Sequence, residues 1–289
     1  MMKITEALEK NHPSISFEIF PPRSEGDMTD VFTAAERIAE LGPSFISVTC
    51  GAGGGNRRYT LELAEKIRER TGVPTLAHLT CVSVSKTDFE NRVGEIRRAG
   101  VENVMALRGD PPVDGQAFTD FPHASDLVSE LRRSGGFCIG GACYPEVHPE
   151  SENSSEDIIN LKKKVDAGCD FLTSQMFFDN SAFYSFLYRL REAGITVPVL
   201  PGIMPITNAK QVKRAKELSG CFVPQRFASL VDRFGHDERA MKQAGIVYAC
   251  DQIIDLFANG IKNVHVYTMN KPDVAEKIIN NLSDIIVRR

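Results

Sequence analysis

The stretch DFENRVGEIRRAGVENVMALRGD, residues 88–110, contains the repeating unit that decides the fold of this chain. Its first half, DFENRVGEIRRA, places apolar residues three and four positions apart, which predicts an amphipathic helix. Gly100 follows as the residue that ends the helix, because a left-handed C-cap is least costly for glycine. The second half, NVMALRG, is a short apolar run that predicts a strand buried on both faces.

The same unit recurs along most of the chain. Amphipathic patterns such as TLELAEKIRER and SEDIINLKKKVDA alternate with short apolar runs. Buried strands that are separated by helices form a parallel sheet, and eight of them fit a closed (β/α)8 barrel better than two open sheets. The strand candidates are SISFEIF, FISVTCG, TLAHLTC, NVMALRG, FCIGGACY, FLTSQMFF, VPVLPGIM and NVHVYTM.

One interval departs from this repeat. Between Gly194 and Gly260 an additional helical segment, at roughly residues 221–234, precedes the long helical pattern HDERAMKQAGIVYACDQIIDLFANG. No proline-rich or low-complexity linker divides the chain. We therefore expect one domain over residues 1–289, an α/β protein of the (β/α)8 TIM barrel class with an extra helical segment between strands 7 and 8.

Composition excludes several classes of protein. The chain has 289 residues, of which 42% are hydrophobic and 25% charged, as in a soluble globular protein with a sizeable core. A formal charge of −4 with both signs interspersed argues against nucleic acid or an anionic membrane as partner. The N-terminus lacks the pattern of a secretory signal, and no apolar run approaches the roughly 18 residues of a membrane span. We expect a cytoplasmic protein with small-molecule ligands.

The seven cysteines and six histidines do not form a recognisable metal motif. No C-x-x-C, zinc-finger spacing or H-E-x-x-H is present, so we expect no metal. Most of the cysteines lie in apolar runs such as FISVTC and HLTC, which favours small buried hydrophobic residues over reactive thiols.

Polar residues collect where the predicted strands end, which is the side of a barrel that holds active sites. Glu18, in SFEIFPPR, ends the first strand. On a lone strand it could belong to a solvated edge, but in a barrel the alternation of side chains directs it inward. A carboxyl group among apolar walls has a raised pKa, which suits proton donation near neutral pH. The other strand-end residues are Thr49, His78, Thr80, Arg108, Asp110, Tyr144, Glu146, His148 and Gln175.

Three short motifs leave alternatives open. GAGGGN, residues 51–56, lacks the last glycine of G-x-G-x-x-G and has no G-K-[ST], so it fits a loop beside a flat ligand and a flexible loop equally. RGD, residues 108–110, matches the integrin-adhesion motif, but its position at a strand end of a chain expected in the cytoplasm favours a glycine that lets a ligand approach the backbone between a cation and an anion. The prolines of PEVHP, residues 145–149, fit a stiff turn as well as a site around His148.

One helical pattern carries a candidate binding face. Asp157, Asn160 and Lys164 are spaced by three and four residues, so they share one side of the helix. Such a face suits contact with a ribose and a diphosphate. A solvated charged face is the alternative.

Taken together and in order, eight motifs resemble the bacterial methylenetetrahydrofolate reductases over residues 10–286. They are SFEIFPPR, SVTCGAGG, AHLTC, ALRGDPP, YPEVHPES, LKKKVDAGCDFLTSQMFFD, LPGIMPITN and HVYTMNK. The resemblance implies an FAD-containing (β/α)8 barrel. It also implies a ping-pong enzyme, in which NADH or NADPH reduces FAD and the reduced FAD converts 5,10-methylenetetrahydrofolate to 5-methyltetrahydrofolate. That product serves methionine biosynthesis or, in some anaerobes, one-carbon assimilation.

The resemblance also implies roles for individual residues. Glu18 falls on the general acid, and Asp110 lies between flavin and pterin, so both are expected to be catalytic and to meet the substrate. Further substrate contacts fall on Gln175, Gln211 and Lys271. The expected FAD contacts are Thr49, Cys50, Ala52, His78, Arg108, Gly109, Asp110, Ala124, Tyr144, His148, Ser151, Asp157, Asn160, Lys163 and Lys164.

The chain departs from the family pattern at three positions. Cys50 stands where tyrosine is common, Ala215 where a bulky apolar residue can pack against substrate, and Lys271 where arginine usually faces the folate tail. We expect these changes to affect affinity and donor preference more than reaction type. The chain ends after the eighth predicted helix, so no C-terminal regulatory domain is expected.

Two other functions remain open. A flavin-free folate-binding barrel, such as a methyltransferase subunit, would share the fold and Gln175 but not the helix face of Asp157, Asn160 and Lys164. A non-catalytic partner subunit would have little reason to retain Glu18 together with Asp110. For the reductase we expect a homo-oligomer, with an electron-transfer partner subunit as an alternative to direct reduction by the nicotinamide nucleotide.

Overall fold

A computed structural model describes residues 2–10, 12–22, 24, 27–50, 57–82, 84–110 and 120–286. Within these ranges parallel strands alternate with helices, as predicted. The strands are β1 (Ser14–Ile19), β2 (Ile46–Val48), β3 (Thr75–Thr80), β4 (Asn103–Leu107), β5 (Cys138–Cys143), β6 (Phe171–Ser174), β7 (Val199–Leu200), β8 (Gly202–Ile203) and β9 (Asn263–Tyr267). The helices are α1 (Ile4–Leu8), α2 (Met28–Ala39), α3 (Arg57–Thr71), α4 (Lys86–Arg98), α5 (Ala124–Ser134), α6 (Ser154–Asp166), α7 (Asn180–Glu192), α8 (Ala209–Ser219), α9 (Gln225–Phe234), α10 (Glu238–Ala258) and α11 (Pro272–Asn281).

The sheet closes through a strand that is divided in two. The strand order is β7-β6-β5-β4-β3-β2-β1-β9-β8, and every pairing is parallel. Only Pro201 separates β7, which pairs with β6, from β8, which pairs with β9. Proline has no backbone N–H to donate, so the ladder is interrupted there. The predicted seventh strand therefore forms both halves of the closure, and the (β/α)8 barrel is confirmed.

Gly100 ends α4 as predicted. Its φ of 61° is left-handed, and its backbone N–H bonds the carbonyl of Arg97 at 3.0 Å. A Cβ at this position would lie 2.6 Å from the Arg68 guanidinium, which itself donates to the carbonyl of Ala99 at 2.8 Å. Glycine is thus required both by the turn and by the side chain that packs on it.

The extra helical segment is present between the seventh and eighth barrel strands. It forms α9, which begins at Gln225 instead of near residue 221, because residues 220–224 are extended or turn backbone that ends in an N-cap proline. Helices α8 and α9 pack with α10 on residues that follow β6 and β8, and the Tyr248 hydroxyl donates to the carbonyl of Phe178 at 2.6 Å. The segment therefore sits at the carboxyl ends of the strands, beside the barrel mouth.

The two faces of the strands line different regions. Phe17 and Ile19 point outward into the main core between sheet and helices, so Ser16 and Glu18 point into the barrel, as the alternation predicts. The amino-terminal half of the interior is apolar, and α1 closes that end through fully buried Ile4, whose N–H donates to Asn103 Oδ1 at 3.0 Å. This interior apolar layer consists of Ile4, Leu8, Phe45, Leu76, Met105, Cys138, Phe171 and Leu200.

Six of the seven cysteines are buried, as their apolar surroundings predict. In the part of the chain that the structure describes, no helix is long and apolar enough to cross a membrane. The same residues contain no group of three or more histidine, cysteine, aspartate or glutamate side chains that could hold a metal ion.

Candidate active site

Glu18 lies at the carboxyl end of β1, inside the barrel mouth. Its Oε2 is 3.4 Å from Ser47 Oγ, 3.5 Å from His78 Nε2 and 3.7 Å from His265 Nε2. The Glu18 side chain keeps 21% of its surface exposed, whereas His78 keeps 9% and His265 only 1%. The carboxyl group therefore rests on buried imidazole and hydroxyl groups and presents one open side to the mouth.

These neighbours change the expected pKa of Glu18. Burial raises the pKa of the carboxyl group, but the His265 and His78 imidazoles and the Ser47 hydroxyl together outweigh burial, so the pKa lies below its usual value. The prediction of a raised pKa is wrong, because it assumed apolar walls. The strands β2, β3 and β9 supply polar ones instead.

A hydrogen-bonded chain continues below Glu18. The Ser16 hydroxyl donates to the carbonyl of Val264 at 3.1 Å, so the proton in its 2.8 Å contact with His265 comes from Nδ1 of the ring. On the other side, His265 Nε2 is 3.0 Å from Ser47 Oγ. A neutral ring accepts the Ser47 proton, whereas a protonated ring donates to Ser47 and leaves the Ser47 proton for Glu18.

Ser16, Ser47 and His265 are site residues that were not predicted from the sequence. Ser16 is two positions before Glu18, and His265 is two before Tyr267, so each lies on the inward face of its strand. That alternation was the available signal. Alternation shows which side chains of a strand point into the barrel, but it does not show which of them come within hydrogen-bonding distance of one another.

A cavity of about 830 Å³ lies beside the mouth, a size that fits a cofactor or a small-molecule ligand. Its walls come from the segments after β4 and β5 and from α6. The structure brings together twelve of the predicted FAD contacts there: Cys50, Arg108, Gly109, Asp110, Ala124, Tyr144, His148, Ser151, Asp157, Asn160, Lys163 and Lys164.

The other three predicted FAD contacts do not line this cavity. His78 lies beside Glu18, and Thr49 follows β2, where its carbonyl accepts from Thr60 Oγ1 at 2.9 Å. Ala52 lies outside the described residues, as does the whole GAGGGN segment. The contact of each of these residues with a flavin stays a prediction.

Helix α6 presents its predicted polar face to the cavity. The helix begins at the N-cap Asn153, whose Oδ1 accepts from the N–H groups of Ser155 and Glu156 at 3.0 Å each. Burial raises the pKa of the Asp157 carboxyl group against the lowering effect of His148. Lys164 Nζ donates to the carbonyl of Ala142 at 2.7 Å, which ties the helix to β5. The face therefore lies on a cavity wall, while its contact with ribose and diphosphate stays a prediction.

Arg108 forms a bidentate ion pair with Glu150 that was not predicted from the sequence. Its Nη1 and Nη2 lie 2.5 and 2.7 Å from the two carboxylate oxygens of Glu150, and this pairing raises the pKa of Arg108. Both side chains line the cavity, so the pair joins the segment after β4 to the loop after β5. Gly109 has a φ of 85°, and a Cβ there would lie 2.8 Å from Val82, so its backbone is packed against the protein itself.

Gln175 connects the cavity to the barrel mouth. Its Oε1 accepts from the N–H of Met176 at 2.9 Å, and its side chain hydrogen-bonds Tyr144, whose pKa is raised by burial and lowered in part by that bond. The Tyr144 ring meets the His148 ring edge to face, with 4.6 Å between centroids. The hydroxyl of Tyr267 donates to the carbonyl of Ser174 at 2.6 Å, which fixes the strand end that carries Gln175.

Gln211 and Lys271, two of the predicted substrate contacts, meet at Thr207. Lys271 Nζ donates to Thr207 Oγ1 at 3.0 Å, and Gln211 Oε1 accepts from the Thr207 N–H at 2.7 Å. Ala215, one turn farther along α8, is 4% exposed and buried in the cluster with Phe227.

The sequence model of the family described as methylenetetrahydrofolate reductase matches residues 3–283. The chain belongs to the methylenetetrahydrofolate reductase family. The resemblance of the eight motifs is thereby confirmed. Family membership supports reduction of methylenetetrahydrofolate, so the chain is an oxidoreductase of one-carbon folate metabolism.

Individual relatives agree with this assignment. A 5,10-methylenetetrahydrofolate reductase from Pectobacterium carotovorum is 36% identical over 269 residues, which are 93% of this chain and 90% of that protein. Methylenetetrahydrofolate reductase (NADH) 1 from maize is 37% identical over 295 residues, 97% of this chain but 50% of the maize protein.

A solved structure supports the fold. An uncharacterized protein from Clostridium thermocellum, which binds two copies of 5-methyl-5,6,7,8-tetrahydrofolic acid, aligns with a TM-score of 0.69 over 99% of this chain and 100% of its own. The two sequences are 15% identical, so the likeness concerns the barrel alone.

Proposed function

We propose that this protein reduces 5,10-methylenetetrahydrofolate to 5-methyltetrahydrofolate with NADH or NADPH, through FAD, in two alternating half-reactions. The observation that carries the proposal is a cavity lined by twelve residues that the family resemblance assigns to FAD, next to the Glu18 carboxyl group at the barrel mouth. We further propose a single barrel domain over residues 1–289, a cytoplasmic location and a homo-oligomeric assembly.

The residues of the cavity suit FAD. Arg108, Lys163 and Lys164 offer cationic donors for a diphosphate, and Asp157 offers a carboxylate for ribose hydroxyls. Among the described residues the buried His78 Nε2 has no hydrogen-bond partner, although Glu18 Oε2 lies 3.5 Å away, and a bound molecule can supply one. FAD, when bound, supplies the ring that carries the hydride.

Proton donation is assigned to Glu18. The methylene bridge of the substrate joins two nitrogens, and protonation of one of them opens the ring to an iminium cation that accepts hydride. The Glu18 pKa is low while one side of the carboxyl group stays open to water, and a substrate that covers this side increases its desolvation and raises the pKa.

Other groups of this chain support that step. The Ser47 hydroxyl, between Glu18 Oε2 and His265 Nε2, orients the carboxylate, and water at the open side of Glu18 can return its proton after each turnover. Asp110, at the cavity edge, supplies negative charge that favours the cation.

The test begins with the absorbance spectrum of the purified protein. We expect flavin bands that bleach on anaerobic addition of NADH or NADPH and return on addition of methylenetetrahydrofolate. A colourless protein that binds folate and takes up no added FAD would overturn the proposal in favour of the flavin-free methyltransferase subunit. A flavoprotein whose reduced form is not reoxidised by the folate would instead indicate a non-catalytic partner subunit.

A further inference from the structure

The backbone is left-handed at three non-glycine residues of the described chain, and all three follow barrel strands at the mouth. Val147, after β5, has a φ of 82°, and Met269 and Asn270, after β9, each have a φ of 54°. This conformation is unfavourable for residues other than glycine, although asparagine tolerates it better than most. Such backbone persists only where its surroundings hold it, and it collects at functional sites. The turn at Met269 and Asn270 must therefore be held by contacts that offset its strain.

The Asn270 side chain replaces one rung of the sheet between β1 and β9. The parallel register of these strands, if continued, would give the N–H of Phe20 to the carbonyl of Thr268. That carbonyl instead accepts from the N–H of Lys271 at 3.1 Å inside the turn. Asn270 Oδ1 accepts from the Phe20 N–H at 2.9 Å, and Asn270 Nδ2 donates to the Phe20 carbonyl at 2.9 Å. One carboxamide thus holds both backbone polar groups of Phe20.

The strand end that this carboxamide holds is the one that carries the proposed acid. Thr268, which is 1% exposed, donates its hydroxyl to the carbonyl of Glu18 at 2.7 Å, and its N–H lies 3.3 Å from the same oxygen. The two prolines that follow Phe20 have no N–H groups, so neither of them can replace its contact with the turn. Loss of the Asn270 carboxamide would therefore free β1 from the turn immediately beyond Glu18.

We propose that Asn270 is a positioning residue for the folate half-reaction, which holds the end of β1 so that the Glu18 carboxyl group meets the substrate in one fixed geometry. The inference rests on the proposed function, because that function assigns proton donation to Glu18. Asn270 acts through the backbone of Phe20 and not by contact with the substrate. Asparagine suits the position because it combines tolerance of left-handed backbone with an amide that both accepts and donates.

Two substitutions at residue 270 separate positioning from backbone strain. Asn270→Ala removes both hydrogen bonds to Phe20 and keeps a residue for which the left-handed turn is unfavourable. Asn270→Gly removes the same bonds but relieves the strain, so this variant should be at least as stable as the alanine variant. The matched control is Asn259→Ala at the end of α10, on the opposite side of the barrel from the mouth, where Asn259 Nδ2 donates to the carbonyl of Asp255 at 2.9 Å.

Stopped-flow spectroscopy on the holoenzyme measures both half-reactions, and Tm is recorded for every variant. At saturating NADH or NADPH, flavin reduction should stay near the parent rate in all three variants, because this step needs no proton from Glu18. Reoxidation by saturating methylenetetrahydrofolate should slow by about tenfold to 100-fold in Asn270→Ala and by the same factor in Asn270→Gly, because a small misplacement of a catalytic group has an effect of this size. The control should reoxidise as the parent does.

Reoxidation of the glycine variant within about threefold of the parent rate overturns the assignment, because the carboxamide would then not be needed for the step. The assignment also fails if both half-reactions fall equally, if the folate KM rises without a slower saturated rate, or if the control loses as much. Each of these results leaves the reductase proposal intact. A parent whose flavin is reduced by the nicotinamide nucleotide but is not reoxidised by the folate refutes the proposed function itself.

Discussion

Replacing Glu18 with glutamine tests the proton donor directly. Glutamine keeps the volume of the side chain and an oxygen that can accept the 3.4 Å contact from Ser47. It removes only the ionisable proton and the negative charge. We expect flavin binding and reduction by NADH to remain near the parent rate, because neither requires a proton from residue 18.

The fold should tolerate this change. His78 has a lowered pKa because burial disfavours its charge, while the Glu18 carboxylate acts in the opposite direction. Removal of the carboxylate therefore makes His78 more readily neutral, and no uncompensated charge stays buried. The oxidative half-reaction should lose the contribution of a general acid, about 100-fold to 10,000-fold. That loss equals about 2.7 to 5.4 kcal/mol of transition-state stabilisation.

Stopped-flow spectroscopy at the flavin band measures each half-reaction separately. The matched control is Glu146→Gln, an identical exchange in the loop after β5, where the carboxylate accepts from the N–H of Phe222 at 2.9 Å. The control should reoxidise within about threefold of the parent, since Glu146 is not placed in the proton path. If the Glu18 variant reoxidises within about tenfold of the parent, the proton comes from another group or from water.

Three further predictions concern cofactor retention and stability. Lys164→Ala should weaken FAD binding by about 1.5 to 3 kcal/mol, measured as flavin lost on dilution. The matched control Lys162→Ala, on the same helix but ion-paired with Asp166, should retain FAD as the parent does. Equal losses from the two variants would contradict the assignment of the cavity to FAD. Gly202→Ala should lower the free energy of unfolding by about 1 to 3 kcal/mol, because a Cβ would lie 2.3 Å from the carbonyl oxygen of Ser174. The control Gly94→Ala, inside α4 with its nearest contact at 3.4 Å, should not lower Tm and should raise it slightly, because alanine favours a helix over glycine. Hydrogen bonds from Asn180 and Tyr184 hold the pKa of Asp255 below its usual value, so its ionised form adds stability that is lost as pH falls through the folded pKa. Asp255→Asn should therefore flatten the acid side of a profile of Tm against pH. An unchanged slope would contradict this.

The fold was predictable because its signals are local. Helical spacing in DFENRVGEIRRA and the glycine after it depend on neighbouring residues, and eight such units leave few architectures. The division of the seventh strand was not predicted, because the effect of Pro201 within the apolar run VPVLPGIM depends on pairing with β6 and β9.

The candidate site was predictable only in part. Alternation along β1 gave the direction of Glu18, yet its pKa depends on side chains from β2, β3 and β9 that meet it through folding alone. Resemblance to a family placed twelve residues that converge on one cavity. The ion pair of Arg108 with Glu150 joins two loops 42 residues apart, and no local pattern reports such a contact.

The sealed amino-terminal end of the barrel has a kinetic consequence. Helix α1 and the apolar layer around Phe45, Met105 and Phe171 close the route to Glu18 from below. Any molecule that reaches the carboxyl group must therefore arrive and depart through the mouth. In the proposed two-step reaction the nicotinamide nucleotide and the folate would use this one entrance, and each would leave before the other binds. A high concentration of the nicotinamide nucleotide should therefore slow the folate half-reaction, and a high concentration of the folate should slow reduction of the flavin.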